Sequence, residues 1–146
     1  MGVLNSQYTN LDSLYYTYHE IRDSLYSWHE QYGNKPHTSY QNSIVYKLDS
    51  IGVSSNDNLP IYAVKLSVNA HIEEDEPRVL ILGQCHAEEI YGVEMSMNLI
   101  KWFLNPSDTE WQYSNLLPYM FNMELWIVPT HNPEGLNVVH GYCDNN

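Results

Sequence analysis

His86 and Glu89 are the two residues of this chain whose types and spacing best suit metal chemistry, in the segment Gly83-Gln84-Cys85-His86-Ala87-Glu88-Glu89. Imidazole nitrogen and carboxylate oxygen are both zinc donors. A helix opening near Ala87 would set the two on one face, one turn apart. The residues alone leave a second account open, a helix-start pair in which Glu89 is favoured by the helix dipole. Glu88 falls off the shared face and makes a poor general base. His131, His71, His37 and His140 have no fixed spacing to His86, and His131, which ends an apolar strand, is the best placed of them to approach it.

The surrounding pattern predicts the elements that place this pair. Val79-Leu80-Ile81-Leu82, bounded by Gly83, reads as a strand buried on both faces. Ile90, Val93, Met97, Ile100 and Leu104 then recur at spacings of three and four, the stripe of a helix packed on one side. The pair therefore falls at the carboxyl end of a central strand, where open α/β sheets bind ligands.

Upstream, Leu11, Leu14, Tyr18, Ile21, Leu25, Trp28 and Tyr32 predict a helix from Thr9 to Tyr32, with Thr9 and Asp12 as its capping box and Gly33 and Pro36 as its stop. His19 and His29 lie off this stripe and read as solvated. Ser43–Val53 and Ile61–Val68 predict a hairpin across the polar turn 54–60. Glu73 to Glu76 reads as a surface turn. Asn105-Pro106 stops the second helix, and Pro118 interrupts helix formation between Thr109 and Phe121. Glu124–Thr130 is a fourth strand, His131–Gly135 a turn, and residues 136–146 carry no closing element.

The whole chain has 146 residues, enough for one core and one domain. Its 43% hydrophobic content excludes disorder. With 6 Lys+Arg against 18 Asp+Glu, the net charge of -12 lacks the basic footprint that nucleic-acid binding requires. Cys85 and Cys143 make no disulfide framework, and Cys85 reads as a small buried filler. No apolar run is long enough to span a membrane, and no signal peptide is visible, which leaves the cytoplasm as the default. Met-Gly-Val-Leu-Asn-Ser fits a short myristoylation pattern, but no basic patch follows to make a second anchor.

Gly-Gln-Cys-His-Ala-Glu-Glu, an amphipathic helix and then Leu-Trp-Ile-Val-Pro-Thr-His-Asn-Pro-Glu-Gly resemble, in that order, the N-terminal half of the M14 zinc carboxypeptidases. The preceding helix and hairpin are similar too, so the resemblance runs from about Tyr8 to the end. It implies an α/β fold with a mixed, largely parallel central sheet flanked by helices, incomplete at the C-terminal side. Residues 1–146 would then be the N-terminal part of a single catalytic domain. By the same resemblance, His86 and Glu89 are two zinc ligands, and Asn132, Pro133 and Gly135 match a structural Asn-Pro-Asp-Gly turn with Glu134 in place of Asp. The family's usual Arg between the ligands is Glu88 here, which puts in question the substrate contacts that this Arg makes.

The implied activity is zinc-dependent removal of C-terminal residues from peptides with a free C-terminus. The third ligand, the general base and the substrate arginines are expected beyond Asn146, since Arg22 and Arg78 fill no clamp role. This chain is thus expected to be inactive by itself. A desuccinylase- or aspartoacylase-like deacylase, and a non-catalytic binding module on the same scaffold, are the alternatives.

Overall fold

The computed structural model describes residues 11–106 and 117–141. Helix α1, Tyr18–Trp28, begins where the Thr17 side chain accepts a hydrogen bond from the Glu20 amide and the Glu20 carboxylate accepts one from the Thr17 amide. This reciprocal capping box satisfies two otherwise orphaned donors. It also corrects the expected start. Residues 11–15 form a turn and bend, 16–17 are irregular, and Leu14 is exposed. The apolar spacing of Leu11 and Leu14 continues that of the helix, but the stronger cap lies at Thr17. Thr9 lies outside the described residues. A π-helical turn, His29–Gly33, ends the segment. His29 is not solvated as expected, since its Nδ1 is buried without a partner.

Four strands follow: β1 (Tyr46–Val53), β2 (Pro60–Leu66), β3 (Arg78–Gln84) and β4 (Glu124–Thr130). They form one mixed sheet in the order β1-β2-β4-β3. β1 with β2 and β2 with β4 are antiparallel, while β3 with β4 is parallel. The expected hairpin is present. Its loop is closed by Ser54, whose amide donates to the Leu59 carbonyl (2.9 Å) and whose hydroxyl accepts from the Leu59 amide (3.0 Å).

Helix α2, Ile90–Leu104, follows β3, and its expected stripe is buried at Val93, Met97, Ile100 and Leu104. Helix α3, Pro133–Val139, follows β4. The core joins Ile21 and Leu25 of α1, Tyr46 of β1, Val64 and Leu66 of β2, Ile127 of β4, this stripe, and Leu136 of α3. The Tyr46 hydroxyl donates to the Leu25 carbonyl at 2.8 Å, satisfying a buried polar group and tying α1 to the sheet.

β3 departs from expectation. It is an edge strand among the described elements, and Leu80 is 62% exposed. Its side chains alternate, as pleating requires. Ile81 packs against the core, and a Cβ on Gly83 would stand 2.7 Å from Ser96 Oγ and 2.9 Å from the Gly92 carbonyl, so α2 lies on that face. Leu80 and Leu82 point the other way and stay open. Continuous apolar runs report suitability for burial on two faces. They do not report which elements supply the cover.

Candidate metal centre

β3 ends at Gln84, and α2 starts only at Ile90, so His86 and Glu89 sit in the turn between them. The expected helical start near Ala87 is replaced by this turn, which the Glu89 amide closes on the His86 carbonyl (3.0 Å). Its cause is visible in the carboxylate. Glu89 Oε2 accepts the amides of His86 (2.9 Å) and Cys85 (3.2 Å), folding the side chain back over the residues before it. That leaves Oε1 2.9 Å from His86 Nδ1.

The expected pair is therefore brought together, by a turn instead of a helix face. Its side chains are 71% and 46% exposed. The hydrogen bond to Glu89 raises the His86 pKa above its ordinary value. That bond, followed by the two backbone donors, lowers Glu89 to about 2.

Two buried polar residues that were not singled out from the sequence hold this turn. Gln84 is fully buried and donates from Nε2 to the His86 carbonyl (2.9 Å). Its Oε1 accepts from the hydroxyl of Thr130, the cross-strand partner on β4. Thr130 Oγ1 in turn accepts the Asn132 amide at 3.1 Å. The available signal was two polar residues ending two apolar strands, where a buried polar group needs a partner.

Asn132, expected in a structural turn, is the N-cap of α3. Its Oδ1 accepts the Gly135 amide (3.0 Å), and Nδ2 donates to the Cys85 carbonyl (2.9 Å). Asn at the cap, Pro133 next and Glu134 in the first turn were helix-start signals. Their reading as a simple turn, with no element after it, is corrected. Glu134 takes hydrogen bonds from Ser54 and from the Asp57 and Asn56 amides (2.8 Å each), which lower its pKa. Cys85, expected to be buried, is exposed beside the site because Gln84 occupies the interior position. Cys143 lies outside the described residues.

Three of the other histidines are engaged elsewhere. His37 bonds the Leu104 carbonyl (2.7 Å), His71 the Gly33 carbonyl (2.6 Å) and His140 the Asp12 carboxylate (2.6 Å). His131 meets the end of β3 through its backbone, whose amide donates to the Gln84 carbonyl at 3.3 Å, and its Nδ1 is buried without a partner among the described residues. Among the described residues no third His, Cys, Asp or Glu joins His86 and Glu89.

Zinc is a fair test of this pair. Two donors on one tetrahedral zinc stand about 3.3 Å apart. The 2.9 Å between Nδ1 and Oε1 needs only a small opening, and exposure leaves room for further ligands. The donor set thus fits part of a zinc site.

Residues 14–145 match the family model of the zinc carboxypeptidases, peptidase family M14. A zinc carboxypeptidase of Saccharothrix mutabilis subsp. capreolus is 33% identical over 103 residues, covering 70% of this chain and 22% of that protein. Carboxypeptidase D of Homo sapiens is 28% identical over 90 residues, 61% of this chain and 6% of its own length. Carboxypeptidase A from Helicoverpa armigera superposes with a TM-score of 0.68 at 17% identity, covering 90% of this chain and 29% of that one. Thrombin activatable fibrinolysis inhibitor gives 0.64 at 19% identity, with 85% and 27% covered. The chain spans about a fifth of the first curated relative. Fold, motif order and family match agree: the chain belongs to the zinc carboxypeptidase family.

Proposed function

We propose that this chain supplies two zinc ligands, His86 and Glu89, to a metallocarboxypeptidase site that removes C-terminal residues from peptides. The observation that carries the reading is the convergence of Nδ1 and Oε1 to 2.9 Å at the carboxyl end of β3. Family membership supports zinc as the metal and peptide hydrolysis as the reaction. Zinc, held by His86 and Glu89 together with further ligands, would supply Lewis acidity there.

The chain's own residues hold and orient. Backbone amides of Cys85 and His86 fix the Glu89 carboxylate, and Gln84 fixes the carbonyl of His86. A ligand group held by such neighbours loses little freedom on binding metal. A third ligand, a proton acceptor and cations for a substrate carboxylate belong to parts of the catalytic domain outside these 146 residues, and the chain is its N-terminal part. By itself it binds zinc weakly and turns over no peptide.

Zinc stoichiometry and peptidase turnover on this chain, with Glu89→Gln and His86→Ala alongside, test the reading. The expected result is weak zinc binding, lost in either variant, with no turnover. Zinc binding unchanged in both variants would remove these residues from the site, and tight zinc with turnover would show a complete local site.

A further inference from the structure

At the opposite ends of the strands lies a second cluster. β3 runs seven residues from Arg78 to Gln84. At roughly 3.3 Å per residue this separates the cluster from the His86 turn by about 20 Å. Lys47 of β1 stands directly across from Lys65 of β2, and Lys65 across from Trp126 of β4. Arg78 of β3 is paired with Glu124 of β4, two residues before Trp126 and hence on the same face. Together these residues line a cavity of about 230 Å³.

Only 6 of the 146 residues are Lys or Arg, against 18 acids, and three of those six line this one cavity. Lysines placed directly opposite each other across a strand pair are unfavourable. Local conflicts of this kind concentrate where function requires them.

Glu124, Asp49 and Glu73 match the three cations in number, so internal pairing leaves hydrogen-bond donors open and not a surplus of positive charge. Glu124 accepts Lys65 Nζ (2.6 Å), Arg78 Nε (2.9 Å) and Trp126 Nε1 (3.2 Å), which accounts for Lys65 and one donor of Arg78. The remaining guanidinium donors of Arg78, whose side chain is 59% exposed, have no other hydrogen-bond partner among the described residues. Lys47 pairs with Asp49 at 2.8 Å, but both side chains are over a third exposed. Such a surface pair exchanges easily. Glu73 also faces the cavity and opposes an anion there. His71 spends Nε2 on the Gly33 carbonyl. Between the two available cations, the indole of Trp126 forms a flat wall, with Lys47 Nζ 5.9 Å from its centroid.

We propose that this cavity binds a small oxyanion, a carboxylate or a phosphate, between Arg78 and Lys47 and against Trp126, independently of the zinc site. Guanidinium presents paired donors that match either oxyanion, and lysine adds a mobile point charge.

The test follows the Trp126 indole N–H resonance while inorganic phosphate, or in a second arm succinate, is titrated at constant ionic strength in the presence of a zinc chelator. A saturable shift is expected, and the tighter arm identifies the oxyanion. Binding is expected to weaken roughly tenfold in Arg78→Gln. It should weaken in the surface variant Lys47→Gln, tighten in Glu73→Gln, and stay unchanged in Arg22→Gln on α1. If Arg78→Gln fails to fold, Lys47→Gln and Glu73→Gln decide. Absence of a saturable shift with both anions, or equal binding in wild type, Lys47→Gln and Glu73→Gln, would overturn the proposal.

Discussion

Asn132 Nδ2 donates a 2.9 Å hydrogen bond to the carbonyl of Cys85, joining residues 47 positions apart in sequence. The same side chain accepts the Gly135 amide, so it caps α3 while tethering the turn that carries His86 and Glu89. Asn132→Ala is expected to cost about 1–2 kcal/mol from the lost cap. It should also loosen the Cys85-His86 peptide and weaken zinc binding. Denaturant unfolding together with a zinc titration checks both effects. A stability loss with unchanged zinc affinity would confine Asn132 to its capping role.

Gly83 faces α2 so closely that an added Cβ would meet Ser96 Oγ at 2.7 Å and the Gly92 carbonyl at 2.9 Å. Gly83→Ala should destabilise by about 1–3 kcal/mol, the range for forced overpacking. Gly52 is the natural control, because a Cβ there meets nothing within 4 Å. Gly52→Ala should stabilise by about 0.5 kcal/mol through the unfolded state. Thermal melts of the two variants should therefore move in opposite directions.

Burial pushes the Glu124 carboxyl up, but hydrogen bonds and charge from Lys65, Trp126 and Arg78 outweigh it and bring its pKa to about 2. A carboxyl lowered on folding stabilises the native state above its unfolded pKa, near 4.5, and that contribution fades as pH falls through about 2. Glu124→Gln leaves the Lys65 ammonium buried without its counter-charge, which costs about 3 kcal/mol at neutral pH. Urea midpoints compared across pH should show the gap between variant and wild type closing below about pH 4.5. A gap of constant size would assign the loss to packing.

Gln84 is fully buried, with Thr130 on one side of its amide and the His86 carbonyl on the other. Gln84→Met keeps the volume but strands a buried hydroxyl, at about 1–3 kcal/mol. It also releases the carbonyl that holds His86. Faster amide exchange at Ala87 and Glu88, seen by NMR, is the expected signature. Unchanged exchange there would show that Gln84 serves the core alone.

Periodicity served well where one element covers one face. The stripe of α2 and the β1–β2 hairpin were legible because burial follows a period of 3.6 or 2. His86 and Glu89 were legible as a pair, but for a partly mistaken reason. Three-residue spacing suits a helix face, yet the observed contact arises because Glu89 captures two backbone amides in a turn. Such capture depends on carboxylate position, which spacing does not encode. The exposure of Leu80 was not legible, since hydrophobicity carries no record of which neighbour covers a strand. α3 was legible in principle through Asn132 and Pro133, but Gly135 favoured a turn reading. The cation cavity was hidden because its residues come from four strands and meet only through register.

The strand order β1-β2-β4-β3 has a kinetic consequence. The first two strands close by a short loop and can pair as soon as they are made. β3 cannot, because its described partner, β4, begins at Glu124, 46 residues after Arg78. β4 must then enter between two strands already present, zipping antiparallel to one and parallel to the other. Loop closure over such distances precedes the contacts that reward it, and it slows folding. The rate-limiting event should be this insertion, so mutations in β4, and in the hairpin already formed before it, should slow refolding.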